Sequence, residues 1–271
     1  MPDANYQNKA IIKSRQRVQD HGEVFTPSFI VENMLDLVAD KINNYQARFL
    51  EPACGDGNFL TAILERRLQA IYRQYYRCRR SQPDFEINAF FAVSSLYGIE
   101  LLEDNIVHCR RNLLNVFRLY YEDKCRLFWT ADKYSRNNQF FASIRYVIRQ
   151  NIVQGDALAF WQTQKHGEVK KDASGNPLPI VFSEWNSAYQ AHKIIRKEWI
   201  YQDLVRVDGA EVFRQPETEY DIPQQNDLFA CLDDTPIQRQ PEKVSRFNQL
   251  SEFPPIDFWR ISQQRKGGKY A

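Results

Sequence analysis

Phe49-Leu50-Glu51-Pro52-Ala53-Cys54-Gly55-Asp56-Gly57-Asn58-Phe59-Leu60 is the stretch on which the reading of this chain turns. Ala47 to Glu51 has the length and composition of a short strand, and Pro52 ends it. A long helix is expected from about Asn58 to Arg80. Gly55 and Gly57 stand between the two, where missing side chains let a ligand approach the backbone. A lone G-x-G also serves turns of purely conformational purpose. A dinucleotide fingerprint would want glycine or alanine where Leu60 stands, and Asp56 would repel a pyrophosphate at the helix start. Carboxylates at Glu51 and Asp56 suit a ligand with a positive end instead.

Working outward, helical and strand signals alternate. Thr26-Pro27 reads as an N-cap with proline at the first helical position, opening a helix that carries Ile30, Met34, Leu35, Leu37, Val38 and Ile42. Further strands are expected at Ser95–Glu100 and Asn151–Gln154, with Ile180-Val181-Phe182 as a candidate fourth. Helices are expected at 101–119 and 140–149. Glu100 lies 43 residues beyond Gly57, more than a simple strand–helix–strand unit needs, and an inserted helix takes up the surplus; a second apolar stretch, Ile87–Val93, leads into the strand that ends at Glu100. The alternation implies an α/β fold with a mostly parallel sheet covered on both faces.

The E-P-A-C-G-D-G-x-F-L string resembles motif I of S-adenosylmethionine-dependent DNA methyltransferases, in the form found in adenine-N6 enzymes of restriction–modification systems. Three further segments match in order. His21-Gly22-Glu23-Val24-Phe25-Thr26-Pro27 resembles motif X, which in this family helps enclose the methionine end of the cofactor. The plainer alternative there is an ordinary capped helix. Tyr97-Gly98-Ile99-Glu100 resembles motif II, and Gln154-Gly155-Asp156-Ala157-Leu158 resembles motif III. The resemblance implies a Rossmann-like sheet binding S-adenosyl-L-methionine through Phe25, Thr26, Glu51, Ala53, Gly55, Asp56, Gly57, Ile99, Glu100, Asp156 and Ala157. Glu100 would accept the ribose hydroxyls, Asp156 the adenine amine, and Ile99 with Leu101 would flank the adenine.

The resemblance stops at the substrate side. Adenine-N6 methyltransferases carry Asn/Asp/Ser-Pro-Pro-Tyr/Phe after the fourth strand, where it holds the target amine and stacks the flipped base. Asn176-Pro177-Leu178-Pro179 precedes the fourth-strand candidate and reads as a turn. Phe253-Pro254-Pro255-Ile256 lacks the leading polar residue. Ser183-Glu184-Trp185-Asn186 does follow the candidate strand, so Glu184, Trp185 and Asn186 are the candidate catalytic residues, with Trp185 as plain core the alternative. Some 85 residues follow Asn186, fewer than the remaining strands and a target-recognition domain require. The sheet is therefore expected to be incomplete on its substrate side, with N-terminal helices and an irregular C-terminal tail. A site-specific adenine methyltransferase, a degenerate cofactor-binding subunit completed by a partner chain, and a methyltransferase with a non-DNA substrate all stay open.

Composition marks out the tail. Eight of the 12 prolines lie beyond Asn176, and Pro216–Asp234 holds six acidic residues and no basic one. The expected division is a domain over 1–210 and an extended or disordered tail over 211–271. Gln225-Asn226-Asp227-Leu228-Phe229 in that tail resembles the peptide with which bacterial replication proteins bind the sliding clamp. Leu64–Arg80 interleaves arginines with tyrosines, read as a buried stripe with a solvated arginine face, with direct DNA contact the alternative. The 36 basic and 34 acidic residues give a net charge of +2, too balanced to name a partner. Five scattered cysteines without a C-x-x-C pair argue against a disulfide scaffold or a zinc site, and the four histidines form no metal-ligand pattern. With no signal core and no run near the roughly 18 apolar residues of a membrane helix, a cytoplasmic protein is expected.

Overall fold

The computed structural model describes residues 14–21, 23–24, 26–78, 81–124, 134–188, 192–205 and 249–264. In chain order these form α1 (Arg15–His21), α2 (Ser28–Asp36), α3 (Ala39–Asn43), β1 (Phe49–Glu51), α4 (Asn58–Cys78), α5 (Gln82–Ser94), β2 (Leu96–Glu100) and α6 (Glu103–Leu119). There follow α7 (Tyr134–Asn151), β3 (Ile152–Asp156), β4 (Trp161–Gln162), β5 (Val181–Ser187), β6 (Lys193–Ile200), α8 (Tyr201–Val205) and β7 (Gln249–Asp257). A 3-10 helix over Phe258–Gln263 closes the described chain.

The chain is mixed α/β. One sheet has the order β1-β2-β3-β4, in which β1, β2 and β3 are parallel and β4 is antiparallel. Alternation along the strands sends side chains to two faces. Leu96 and Ile152 join the main core with Leu60, Leu64, Ile106 and Leu113 from α4 and α6. Leu50, Tyr97, Ile99 and Val153 face a second cluster with Ile180, Phe182 and Tyr201. The inserted helix α5 opens with a reciprocal cap between Ser81 and Asp84. Phe85, Ala89, Phe90, Phe91 and Val93 are all buried, because α5 is packed by α4, α7 and β5 on several sides.

The single helix expected from Thr26 is two helices, α2 and α3, with Leu37-Val38 turning between them. Pro27 occupies the cap position with ψ 145°, and no side chain caps α2. Thr26 precedes a proline, and that ring disfavours helical backbone in the residue before it.

The fourth-strand expectation needs correction. Ile180-Val181-Phe182 leads into β5, but β5 pairs antiparallel with β6, and β6 with β7, in a separate three-stranded sheet. Parallel addition needs a crossover, usually a helix. The 157–180 link instead folds as a small β-meander, with bridges Trp161–Pro179, Thr163–Val169 and Lys171–Pro177. Asn176-Pro177-Leu178-Pro179 lies inside this meander, where Gly175 takes φ +85° in the preceding turn.

The tail boundary also shifts. Residues 249–264 belong to the folded body: β7 pairs with β6, and Phe258 and Ile261 are fully buried. Phe258 packs on Phe90 and Phe140 at ring distances of 6.2 and 5.4 Å. This stretch supplies the apolar area that Pro216–Asp234 lacks. Ile194 faces Ile256 and Arg196 faces Phe253, so Pro254 and Pro255 form a bulge opposite Ile195. A bulge on an edge strand is where missing backbone N–H groups are tolerated. The sliding-clamp-like peptide Gln225–Phe229 lies outside the described residues.

The arginine-rich helix α4 is less solvated than its composition implies. Arg67 is fully buried, and all five of its N–H groups are used. They donate to the carbonyls of Ile42, Asn44, Ala47 and Ala92 and to Ser95 Oγ, at 2.6 to 3.3 Å. Arg66 pairs with Glu32 and Asp36 of α2. These two arginines tie helices together.

Candidate functional site

The site is built at the carboxyl ends of β1, β2 and β3, the edge at which open α/β sheets bind ligands. After Glu51 the chain turns tightly: Cys54 N–H donates to Ile99 O at 2.9 Å and Gly57 N–H to Cys54 O at 2.8 Å. Gly55 and Gly57 adopt φ +53° and +90°, conformations that side chains disfavour. A Cβ on Gly57 would also stand 2.7 Å from Cys109 Sγ of α6. Close packing of α6 therefore demands glycine there independently of any ligand. Cys54 Sγ lies 3.9 Å from Cys109 Sγ, both buried beneath the turn.

Glu100, at the end of β2, is 7% exposed. One carboxylate oxygen accepts Gly55 N–H at 2.8 Å and the other Leu102 N–H at 2.8 Å. Burial pushes its pKa up, against the pull of hydrogen bonds from Leu102, Asn105 and Gly55. The segment ahead of α2 folds over this strand end: Glu23 accepts from Asn105 and pairs with Arg17, which also holds Asp104. Thr26 O accepts Asn58 Nδ2 at 3.4 Å. Thr26 is thereby brought beside the glycine turn, while Phe25 lies outside the described residues.

Glu51 is half-buried, and burial raises its pKa against one hydrogen bond from the Ala53 backbone. Among the described residues it forms no ion pair. A desolvated carboxylate without a cation, on the strand beside Glu100, is suited to a positively charged ligand group. Asp56 is 3% exposed, and its backbone carbonyl accepts Asn112 Nδ2 at 2.9 Å.

On the third strand, Asp156 Oδ1 accepts the N–H groups of Leu158 and Ala159 at 2.8 and 3.0 Å, closing a turn on itself. Ala157 packs against the second core cluster. Ile99 does not flank an open pocket: it is fully buried in that same cluster, on the sheet face covered by Ile180 and Phe182. Leu101, half-buried, remains at the surface of this strand end.

An open cleft of about 630 Å³ adjoins these strand ends, lined by Glu103, Gln154, Thr163, Gln164, Lys165, Glu168 and Lys170. Gln154 Nε2 donates to Leu101 O at 3.3 Å and Gln164 O at 3.2 Å, binding the meander to β2. Thr163 to Lys170 escaped the sequence reading, since nothing in their composition announces a ladder folded back on β3.

The candidates after the fourth-strand position are placed away from this edge chemistry. Trp185 is 5% exposed, its indole N–H donates to Asn151 Oδ1 at 3.2 Å, and it packs edge-on to Phe90. Its ring is part of the core and presents no face for stacking a base. Glu184 pairs with Arg48 and accepts Trp199 Nε1 at 2.7 Å. Asn186 is half-buried and paired with Ile195 across the β5–β6 ladder. The alternation of β5 explains this arrangement: Trp185 shares a face with Ser183, whose Oγ accepts from the buried Arg196.

No family model and no solved structure matches the chain. Among curated proteins it is 30% identical, over 168 residues, to the type II methyltransferase M.BstVI of Geobacillus stearothermophilus. That alignment takes in 60% of this chain and 25% of the relative, so the chain spans about a quarter of the enzyme it matches. With its parallel strands, glycine turn and acidic strand ends, the chain is methyltransferase-like in sequence over the larger part of its length.

Proposed function

We propose that the chain is an S-adenosyl-L-methionine-binding DNA methyltransferase-like protein, akin to adenine-N6 methyltransferases of restriction–modification systems. The observation that carries this reading is the glycine turn between β1 and α4, with Gly55 N–H bound by Glu100 and the unpaired carboxylate of Glu51 beside it. The likeness to a type II methyltransferase supports the same assignment. The donor set fits the cofactor chemically. Glu51 offers negative charge to a sulfonium or ammonium group, and Glu100 keeps lone pairs for a ribose diol. The loop backbone at Ala53, Gly55 and Gly57 leaves room for close approach. Phe25, Thr26, Asp56, Asp156 and Ala157 complete the proposed binding set. When bound, the cofactor supplies an electrophilic methyl group, and the chain's part is to hold and orient it.

A second reading is favoured by one specific observation. Trp185, the aromatic that follows the fourth-strand position, is core, and β5 lies outside the parallel sheet. On that reading the chain is a cofactor-binding subunit whose target-recognising and catalytic half belongs to a partner chain.

Equilibrium binding of radiolabelled S-adenosylmethionine, followed by incubation with duplex DNA, separates these readings. Binding with transfer to adenine supports an active enzyme. Binding without transfer supports the subunit. Absence of binding at concentrations up to about 1 mM, a weak limit for a cofactor site, removes both.

A further inference from the structure

Two neighbouring helices carry, past the first turn of α6, charge of one sign. Together α6 and α7 hold Arg110, Arg111, Arg118, Arg136, Arg145 and Arg149, no lysine and, apart from Glu103 and Asp104 in the first turn of α6, no carboxylate. The whole chain is nearly balanced, so this is a local concentration of cations. The helices pack through Phe117 on Phe140 and Phe141, each ring pair at 5.7 Å. On α6, Arg110, Arg118 and Arg111 fall within an arc of about 100°. On α7, Arg145 and Arg149 are one turn apart on the solvent side. Arg110 joins the two sets: its guanidinium donates to Ile152 O at 2.9 and 2.6 Å and feels the charge of Arg149.

Arg111, Arg145 and Arg149 are exposed, and among the described residues none has a carboxylate within ion-pair distance. Arg118 alone on this ridge has one, Glu122 at 3.8 Å. Uncompensated arginines on adjoining helices repel each other unless an anion lies between them. The exclusive use of arginine fits phosphate in particular, because the guanidinium fork meets two phosphate oxygens at once. The spread over two helices fits a repeating polyanion better than a single small anion.

We propose that the Arg111–Arg145–Arg149 ridge binds the phosphate backbone of duplex DNA without reading its sequence. The choice of DNA among polyanions rests on the methyltransferase-like reading above; the phosphate chemistry does not. The ridge would anchor the duplex while another element, on this chain or a partner, reads bases.

The test uses the full chain and a fluorescent duplex of about 20 base pairs, titrated at several salt concentrations near 0.1 M. The triple variant Arg111→Gln, Arg145→Gln, Arg149→Gln should bind at least about tenfold more weakly, with a salt slope reduced by about 2 to 3. Its melting temperature should match the parent's, since all three side chains are exposed. Unchanged affinity and slope would overturn the proposal. Cofactor binding measured on the same preparations keeps the two readings apart. A chain that binds DNA through the ridge but takes no S-adenosylmethionine loses only the methyltransferase reading.

Discussion

The Glu100 carboxylate holds the Gly55 backbone N–H at 2.8 Å, joining the end of β2 to the turn that follows β1. Its other oxygen holds Leu102 N–H, so one side chain fixes both the glycine turn and the entry to α6. The residue proposed to meet the ribose is also the residue that shapes the glycine turn.

Replacing Glu100 should therefore cost more than one ligand contact. Glu100→Ala is expected to weaken S-adenosylmethionine binding by at least about tenfold, or 1.4 kcal/mol. Glu100→Gln should recover little, because its amide NH₂ would oppose one of the two backbone donors. Calorimetric titration well below the melting temperature checks this. Undiminished binding would remove Glu100 from the cofactor site.

Glu51 yields a prediction of opposite sign for stability. Burial raises its folded-state pKa, so the neutral carboxyl is the form the fold prefers. Its stabilising contribution is fully present below the unfolded value of about 4.3 and is lost as pH rises through the raised folded value. At pH 7 the ionised group is a cost. Glu51→Gln should thus melt at a higher temperature than the parent at pH 7, the gap closing below about pH 4. The same variant should bind S-adenosylmethionine more weakly. Melts across pH 3 to 8, in parallel with binding, test the trade; a variant that melts lower at pH 7 would contradict it.

Arg67 is expected to be the least replaceable arginine of α4. Its removal strands the carbonyls of Ile42, Ala47 and Ala92, each costing about 1–3 kcal/mol when left unsatisfied, while Asn44 O keeps Ala47 N–H and Ser95 Oγ keeps its bonds to Tyr45 O and Phe91 O. Arg67→Leu should lose most of the stability of a typical domain, and Arg67→Lys, with three donors for five acceptors, more than about 2 kcal/mol. Arg73→Gln, on the exposed side of the same helix, should change it by less than about 0.5 kcal/mol. Urea denaturation of the three variants discriminates directly.

Trp185→Phe should act on folding and spare the cofactor. It keeps a ring against Phe90 but leaves Asn151 Oδ1 without the indole donor, at a cost of about 1–2 kcal/mol. S-adenosylmethionine affinity should stay within about twofold of the parent, a few tenths of a kcal/mol. A large loss of methyl transfer with unaltered stability would instead restore Trp185 to a base-stacking role.

Local patterns carried much of this protein. Gly55 and Gly57 between a strand and a helix, acidic residues at strand ends, and the run of strands at Phe49, Leu96 and Ile152 were legible because each depends on neighbours in the chain: turn geometry, side-chain alternation, helical spacing. The fate of Ile180–Phe182 was not, because pairing direction depends on whether the preceding link can form a crossover, and 157–180 closes on itself as a meander. Pro254-Pro255 looked like a tail for the same reason: an edge bulge is defined by Ile194 and Arg196 on another strand. Arg67 shows the limit most sharply. Its charge reads as surface in one dimension, and only the gathering of carbonyls from 42, 44, 47 and 92 in space gives that charge a buried place. The sequence by itself determined the glycine turn and the strands that flank it. Tertiary structure alone decided which sheet each later strand joins and which polar side chains are buried, since hydrogen bonds between distant segments decide both.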